Sequence, residues 1–129
     1  MYRIEADSGK NRLYVTLGQK NDGDELSVME NLKKELSKLT SGFTVLTDFS
    51  AFLPIRQDDA QLITKAQEIL IRKGMGMSAR VVNSAVVKMQ VERRARETDF
   101  PSRTVETVEE AEIFLDAWQA GLGKKPARR

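Results

Sequence analysis

The chain has 129 residues, 40% hydrophobic and 31% charged, with no Cys and no His. This fits one globular domain, long enough to bury roughly two-thirds of its unfolded surface, and it excludes disulfides, thiol chemistry and histidine acid–base catalysis. The net charge of +2 depends on Lys124, Lys125, Arg128 and Arg129: without these four, 17 basic residues face 19 acidic ones, a net of −2.

In chain order, Tyr2 to Asp7 alternates like an edge strand, and Ser8-Gly9-Lys10 is a turn. Asn11 to Gly18 follows as a second strand with Leu13, Val15 and Leu17 on one face, so the two runs predict a hairpin. Asn21 to Asp24 is a loop. Leu26, Met29, Leu32, Leu36 and Leu39 recur at spacings of three and four and predict a helix over 25–39. Lys33, Lys34, Glu35 and Lys38 are expected mostly off that stripe, and Ser41-Gly42 is expected to end the helix.

Phe43 to Ser50 is an apolar, β-branched run that ends in an acid and a serine, Asp48 and Ser50, and residues 43–49 read as a buried strand. Phe52-Leu53-Pro54-Ile55 is an irregular apolar connection, because Pro54 turns Leu53 away from helix. A second helix is predicted over 58–73 with Leu62, Ile63, Ala66, Ile69 and Leu70 inward, closed by Gly74 to Met77. Ala79 to Asn83 is a strand, and Ser84 caps a helix over 85–97. Arg103 to Val105 is a last short strand. Thr107-Val108-Glu109-Glu110 has the capping-box pattern and starts a helix carrying Ala111, Phe114, Leu115 and Trp118, with Gly121 at its end.

The order β-β-α-β-α-β-α-β-α implies an α/β fold: a mixed, mostly parallel sheet of about five strands, an N-terminal β-hairpin and about four helices. The expected domain is 1–121, followed by a basic, solvated tail over 122–129. No apolar run reaches the ~18–20 residues of a membrane span. Met1 to Glu5 lacks the apolar core of a signal peptide. A cytoplasmic location is therefore expected.

Ligands of open α/β sheets gather beyond the carboxyl ends of the strands, which is where Asp48 and Ser50 fall. A receiver-type phospho-acceptor site at Asp48 lacks its lysine, because Glu106 and Thr107 follow the last strand. Asp48 can instead cap the next turn. Ser50 has no histidine base and no nucleophile elbow around it. Asp58 and Asp59 pair acids where metal or proton sharing is conceivable, but the start of a helix favours acids in any case. Gly74-x-Gly76 follows a helix and is read as a terminator, not as a phosphate loop. Lys88, Arg93, Arg94 and Arg96 on the third helix suggest an anion or partner face, yet Glu92–Arg96 and Arg93–Glu97 are spaced as ordinary helix pairs. No aromatic residues interleave with them, so nucleic acid is not the expected partner. Val86, Val87, Met89 and Val91 need more than one face of their helix, which predicts a homodimer contact through helix 85–97.

The strand Phe43-Thr-Val-Leu-Thr-Asp-Phe-Ser50, the strand Ala79-Arg-Val-Val-Asn83, the opening Asn11-Arg-Leu-Tyr-Val-Thr-Leu17 and the closing Glu109-Glu-Ala-Glu-Ile-Phe-Leu115 together resemble the SpoIIAA-like family, related to the STAS domains of anti-sigma-factor antagonists. The resemblance covers roughly residues 2–120. It implies a bacterial, cytoplasmic, non-enzymatic regulatory or protein-interaction domain without cofactor, whose partner is an anti-sigma-factor-like regulator. The family's strand is similar to vLDLS, matched by Asp48 and Ser50. Its switch turn carries a phosphorylated Ser or Thr. The corresponding Ile55-Arg56-Gln57-Asp58-Asp59-Ala60 has no hydroxyl residue, and Asp58 would leave a permanent charge there. The binding candidates are thus Asp48, Ser50, Phe52, Ile55, Asp58 and Asp59. The family is also described as similar to lipid carriers of the CRAL-TRIO type. On that alternative, a carrier of a small apolar ligand, Phe49, Phe52, Leu53 and Ile55 line an apolar mouth; otherwise they cover the core.

Overall fold

The computed structural model describes residues 2–17, 25–49, 57–98 and 101–124. The elements follow the predicted order: β1 (Tyr2–Asp7), β2 (Arg12–Leu17), α1 (Glu25–Leu36), β3 (Thr44–Asp48), α2 (Gln57–Arg72), β4 (Met77–Val81), α3 (Ala85–Thr98), β5 (Ser102–Val105) and α4 (Val108–Lys124). The strands lie side by side in chain order. β1 and β2 are antiparallel, and β2 through β5 are parallel. Asn11 enters β2 with φ 55° and exchanges side-chain hydrogen bonds with the Thr40 backbone. Asn is among the few residues that tolerate this left-handed turn.

Because strand faces alternate, each parallel strand feeds two cores. On one face Ile4, Leu13, Phe43 and Val45 pack with Val28, Met29, Leu32 and Leu36 of α1 and Leu70 of α2. That layer continues through Phe49, Ile63, Val82 and Val87 beneath α2 and α3. On the other face Leu46, Ala79 and Val81 pack against Ala111 and Leu115 of α4. Among the described residues, α1, α2 and α3 thus cover one face, and α4 returns over the other. No helix among the described residues is long and apolar enough to cross a membrane.

The structure departs from expectation at several places. α1 stops at Leu36, and the chain tightens into turns in which Lys38 N–H bonds Glu35 O and Leu39 N–H bonds Leu36 O. Gly42 therefore ends no helix. With φ 91°, it donates to Gly74 O at 2.7 Å, while Gly76 N–H bonds Phe43 O at 2.8 Å. This pairing zips the two loops together, so β4 begins at Met77, two residues before the predicted start, and Met75 enters the core. Glu35 turns inward and accepts from the Ala6 backbone N–H at 2.9 Å, tying α1 to β1. α4 runs through Gly121 to Lys124, because nothing at Gly121 imposes a left-handed turn. The Glu92–Arg96 pair does not form among the described residues; the Glu92 charge acts on the buried Arg80 instead.

Candidate functional site

The parallel strands end together at Asp48, Val81 and Val105. Two bonds extend the ladder past the last paired residues: Phe49 N–H to Val81 O at 2.8 Å and Val82 N–H to Val105 O at 3.0 Å. Beyond them the chain splits, toward α3 after β4 and toward α4 after β5. The space between holds a cleft of about 530 Å³ lined by Val82, Asn83, Ser84, Ala85, Lys88, Glu106 and Thr107. Both walls start helices. Ser84 Oγ accepts from Val87 N–H at 3.4 Å and caps α3. Thr107 and Glu110 close a capping box before α4: Glu110 N–H bonds Thr107 Oγ1 at 3.1 Å, and Thr107 N–H bonds Glu110 Oε1 at 3.2 Å. Lys88 and Glu106 bring opposite charges to the lining, and the first turn of α3 has no acid. Such a cleft can hold a polar group that both donates and accepts hydrogen bonds.

The predicted site residues are only partly gathered here. Asp48 is half-buried at the end of β3, in register between Thr16 and Val81. The cleft thus lies one strand further along the sheet. Asp58 and Asp59 fall in the first turn of α2, and their side chains lie outside the described residues. Ser50, Phe52 and Ile55 lie outside them altogether. Phe49 is buried against Ile63, Val82 and Val87 and covers the core there. Among the described residues, no group of three or more His, Cys, Asp or Glu is placed to hold a metal ion.

A second polar cluster sits at the opposite, amino end of the sheet. Arg12 is fully buried (0% exposed) between the sheet and α4. Its Nε donates to Thr44 Oγ1 at 2.9 Å, and its Nη2 donates to Asp116 Oδ1 at 3.0 Å and to Gln119 Oε1 at 2.7 Å. Its Nη1 bonds Glu112, which also accepts from the Tyr14 hydroxyl. Lys10 Nζ lies 3.8 Å from Glu112, and Gln119 Nε2 donates to Lys10 O. Burial alone would lower the Arg12 pKa, but the bonds to Asp116 and Glu112 prevail and the net shift is upward. Burial, then the bond to Glu112, raises the Tyr14 pKa. The cluster fastens α4 to the hairpin.

Sequence reasoning missed this cluster because its partners lie about a hundred residues apart. Its signal was present, though: Arg12 and Tyr14 alternate with Leu13 and Val15 and so share the face that α4 covers. Arg80, also buried, was missed in the same way. Its Nε donates to Thr104 Oγ1 at 2.8 Å, and burial lowers its pKa against the opposing pull of Glu92. No family model matches the chain, and no curated protein matches it in sequence.

Proposed function

We propose that this chain is a non-enzymatic regulatory or protein-interaction domain that binds a partner protein at the carboxyl edge of its sheet. The cleft over β4 and β5 carries the reading: it lies where α/β sheets take their ligands. Its polar lining of Asn83, Ser84, Lys88, Glu106 and Thr107 is suited to a partner's backbone and charged side chains. Ser84 and Thr107 are engaged in starting helices, which favours recognition over chemistry. The resemblance to anti-sigma-factor antagonists points the same way, with a partner of the anti-sigma-factor type. Acids fixed in the first turn of α2 give that region a constant charge where the family uses a phosphorylated hydroxyl. Binding is therefore independent of phosphorylation on this reading.

The apolar-carrier alternative gains no support from Phe49, which is buried in the core.

A photo-crosslinking residue at Asn83, compared with one at Glu5 on β1, tests the proposal in cells of the source organism. A discrete adduct at position 83, absent at position 5 and lost with Lys88→Glu, is expected. No adduct, or equal adducts from both positions, would overturn it.

A further inference from the structure

Two helices carry exposed apolar side chains, and their surrounding charges are opposite. On α3, Met89 is 65% exposed and Val86 about half exposed. With Arg93 they follow one stripe at spacings of three and four, and exposed Arg96 lies three residues beyond Arg93. Glu92 sits on the flank of this stripe and acts on Arg80. Among the described side chains, the outer face of α3 is thus apolar and basic.

On α4, Ile113 is 69% exposed. Exposed Glu109 precedes Ile113 by four residues; Glu110, three residues before it, is turned into the capping box, and Asp116, three after it, is paired with Arg12. Exposed Ala117 and Ala120 continue the face and leave a shallow place beside Ile113. The sequence has no Lys or Arg between Arg103 and Lys124. The outer face of α4 is thus apolar and acidic.

These faces match each other in charge and in having one prominent apolar side chain each. They cannot meet within one molecule, because α3 and α4 cover opposite sides of the sheet. We infer that the α3 face of one copy docks on the α4 face of another. Met89 then seats beside Ile113 over Ala117 and Ala120, and Arg93 and Arg96 meet Glu109.

Such a contact is head-to-tail. Each copy keeps one unused α3 face and one unused α4 face, so association continues until a ring closes or a chain grows. This differs from the two-fold pairing through α3 alone that the sequence suggests, in which Arg93 and Arg96 would be brought near their own copies. The interface is small, below the size of stable dimers, so association belongs in the range of roughly 100 µM or weaker. Its charge pairs are exposed and screened by salt.

Sedimentation equilibrium at up to about 500 µM protein, in about 20 mM and about 500 mM salt, tests this on the whole chain. The wild-type average mass should rise with concentration in low salt and return to that of the monomer in high salt. Met89→Glu and Ile113→Lys should each be monomeric alone. Mixed in equal amounts they should associate again, since each retains the face that the other lacks. Both positions are exposed, and circular dichroism checks the fold. If either variant unfolds, Arg93→Glu and Glu109→Lys serve the same test. A wild type that stays monomeric in low salt would overturn the inference. So would loss of association in Met89→Glu but not in Ile113→Lys, which is the mark of two-fold α3 pairing, or a mixture that remains monomeric.

Discussion

Replacing Arg12 by Met keeps most of the buried volume and removes the guanidinium. Thr44 is fully buried and loses its partner at 2.9 Å; an unpaired buried hydroxyl costs about 1–3 kcal/mol. The charged bond to Glu112 is worth about 1.5–3 kcal/mol, discounted because Glu112 is partly exposed and keeps Tyr14 and Lys10 nearby. Asp116 is more than half exposed and regains water, so its loss is close to zero. Gln119 keeps its bond to Lys10 O. The sum is a destabilisation of about 2–4 kcal/mol, or a drop in Tm on the order of 10 °C for a domain of this size. Urea unfolding followed by far-UV circular dichroism measures it, and Trp118 fluorescence reports on α4 directly. Arg12→Met combined with Glu112→Leu should recover at least ~1 kcal/mol, because removing a whole buried ionic group is milder than orphaning half of it. An Arg12→Met protein within ~0.5 kcal/mol of wild type would refute the reasoning. So would strictly additive losses in the double variant.

Two glycines should respond in opposite directions. A Cβ at Gly76 would overlap the Trp118 ring and come within 3.1 Å of the Gly42 carbonyl oxygen; Gly76→Ala is expected to cost about 1–3 kcal/mol in urea unfolding. A Cβ at Gly121 meets nothing within 4 Å inside α4, so Gly121→Ala should stabilise by about 0.5–1 kcal/mol. Glu35 has a lowered pKa, first through its bond to Lys38 and then through the Ala6 N–H. Its stabilisation is present above the ordinary value of 4.5 and is lost as pH falls below that through the lowered folded-state value. Glu35→Gln should therefore flatten the acid limb of a stability–pH curve, and an unchanged limb would count against the contact.

The element order was legible because it rests on local periodicity and capping. Thr107 and Glu110 form the box that their spacing announces, and Ser84 caps α3 as its position suggests. The misses share one cause, which is tertiary contact overriding a local signal. Gly74 ends α2 with φ 97°, as its position announces, but the bond from Gly76 N–H to Phe43 O draws the next residues to the sheet earlier than the sequence suggests. Glu35 reads as a solvent residue beside Leu36 until β1 offers it the Ala6 N–H. The cleft was half legible: its caps follow from sequence, but its walls come from two strand ends 24 residues apart that only the parallel pairing of β4 and β5 makes neighbours. Asp48 ends β3 at the same edge of the sheet, one strand away from the opening.

The two polar groups of this fold sit at opposite ends of the same strands, and that separation bears on how its function can be dissected. The Arg12 cluster joins β2 and β3 to α4 where the strands begin, and the cleft opens where β4 and β5 finish. Coupling between distant, unshared sites is usually small, with effects adding to within ~0.5 kcal/mol. Lys88 and Glu106 take no part in the ion pairs among the described residues. Charge reversal at either should therefore leave urea stability within about 0.5 kcal/mol of wild type. Losses of binding in such variants then belong to the cleft and not to the fold. Loss of binding in Arg12→Met, by contrast, would follow its loss of stability and should be restored on cooling or by the compensating change at Glu112.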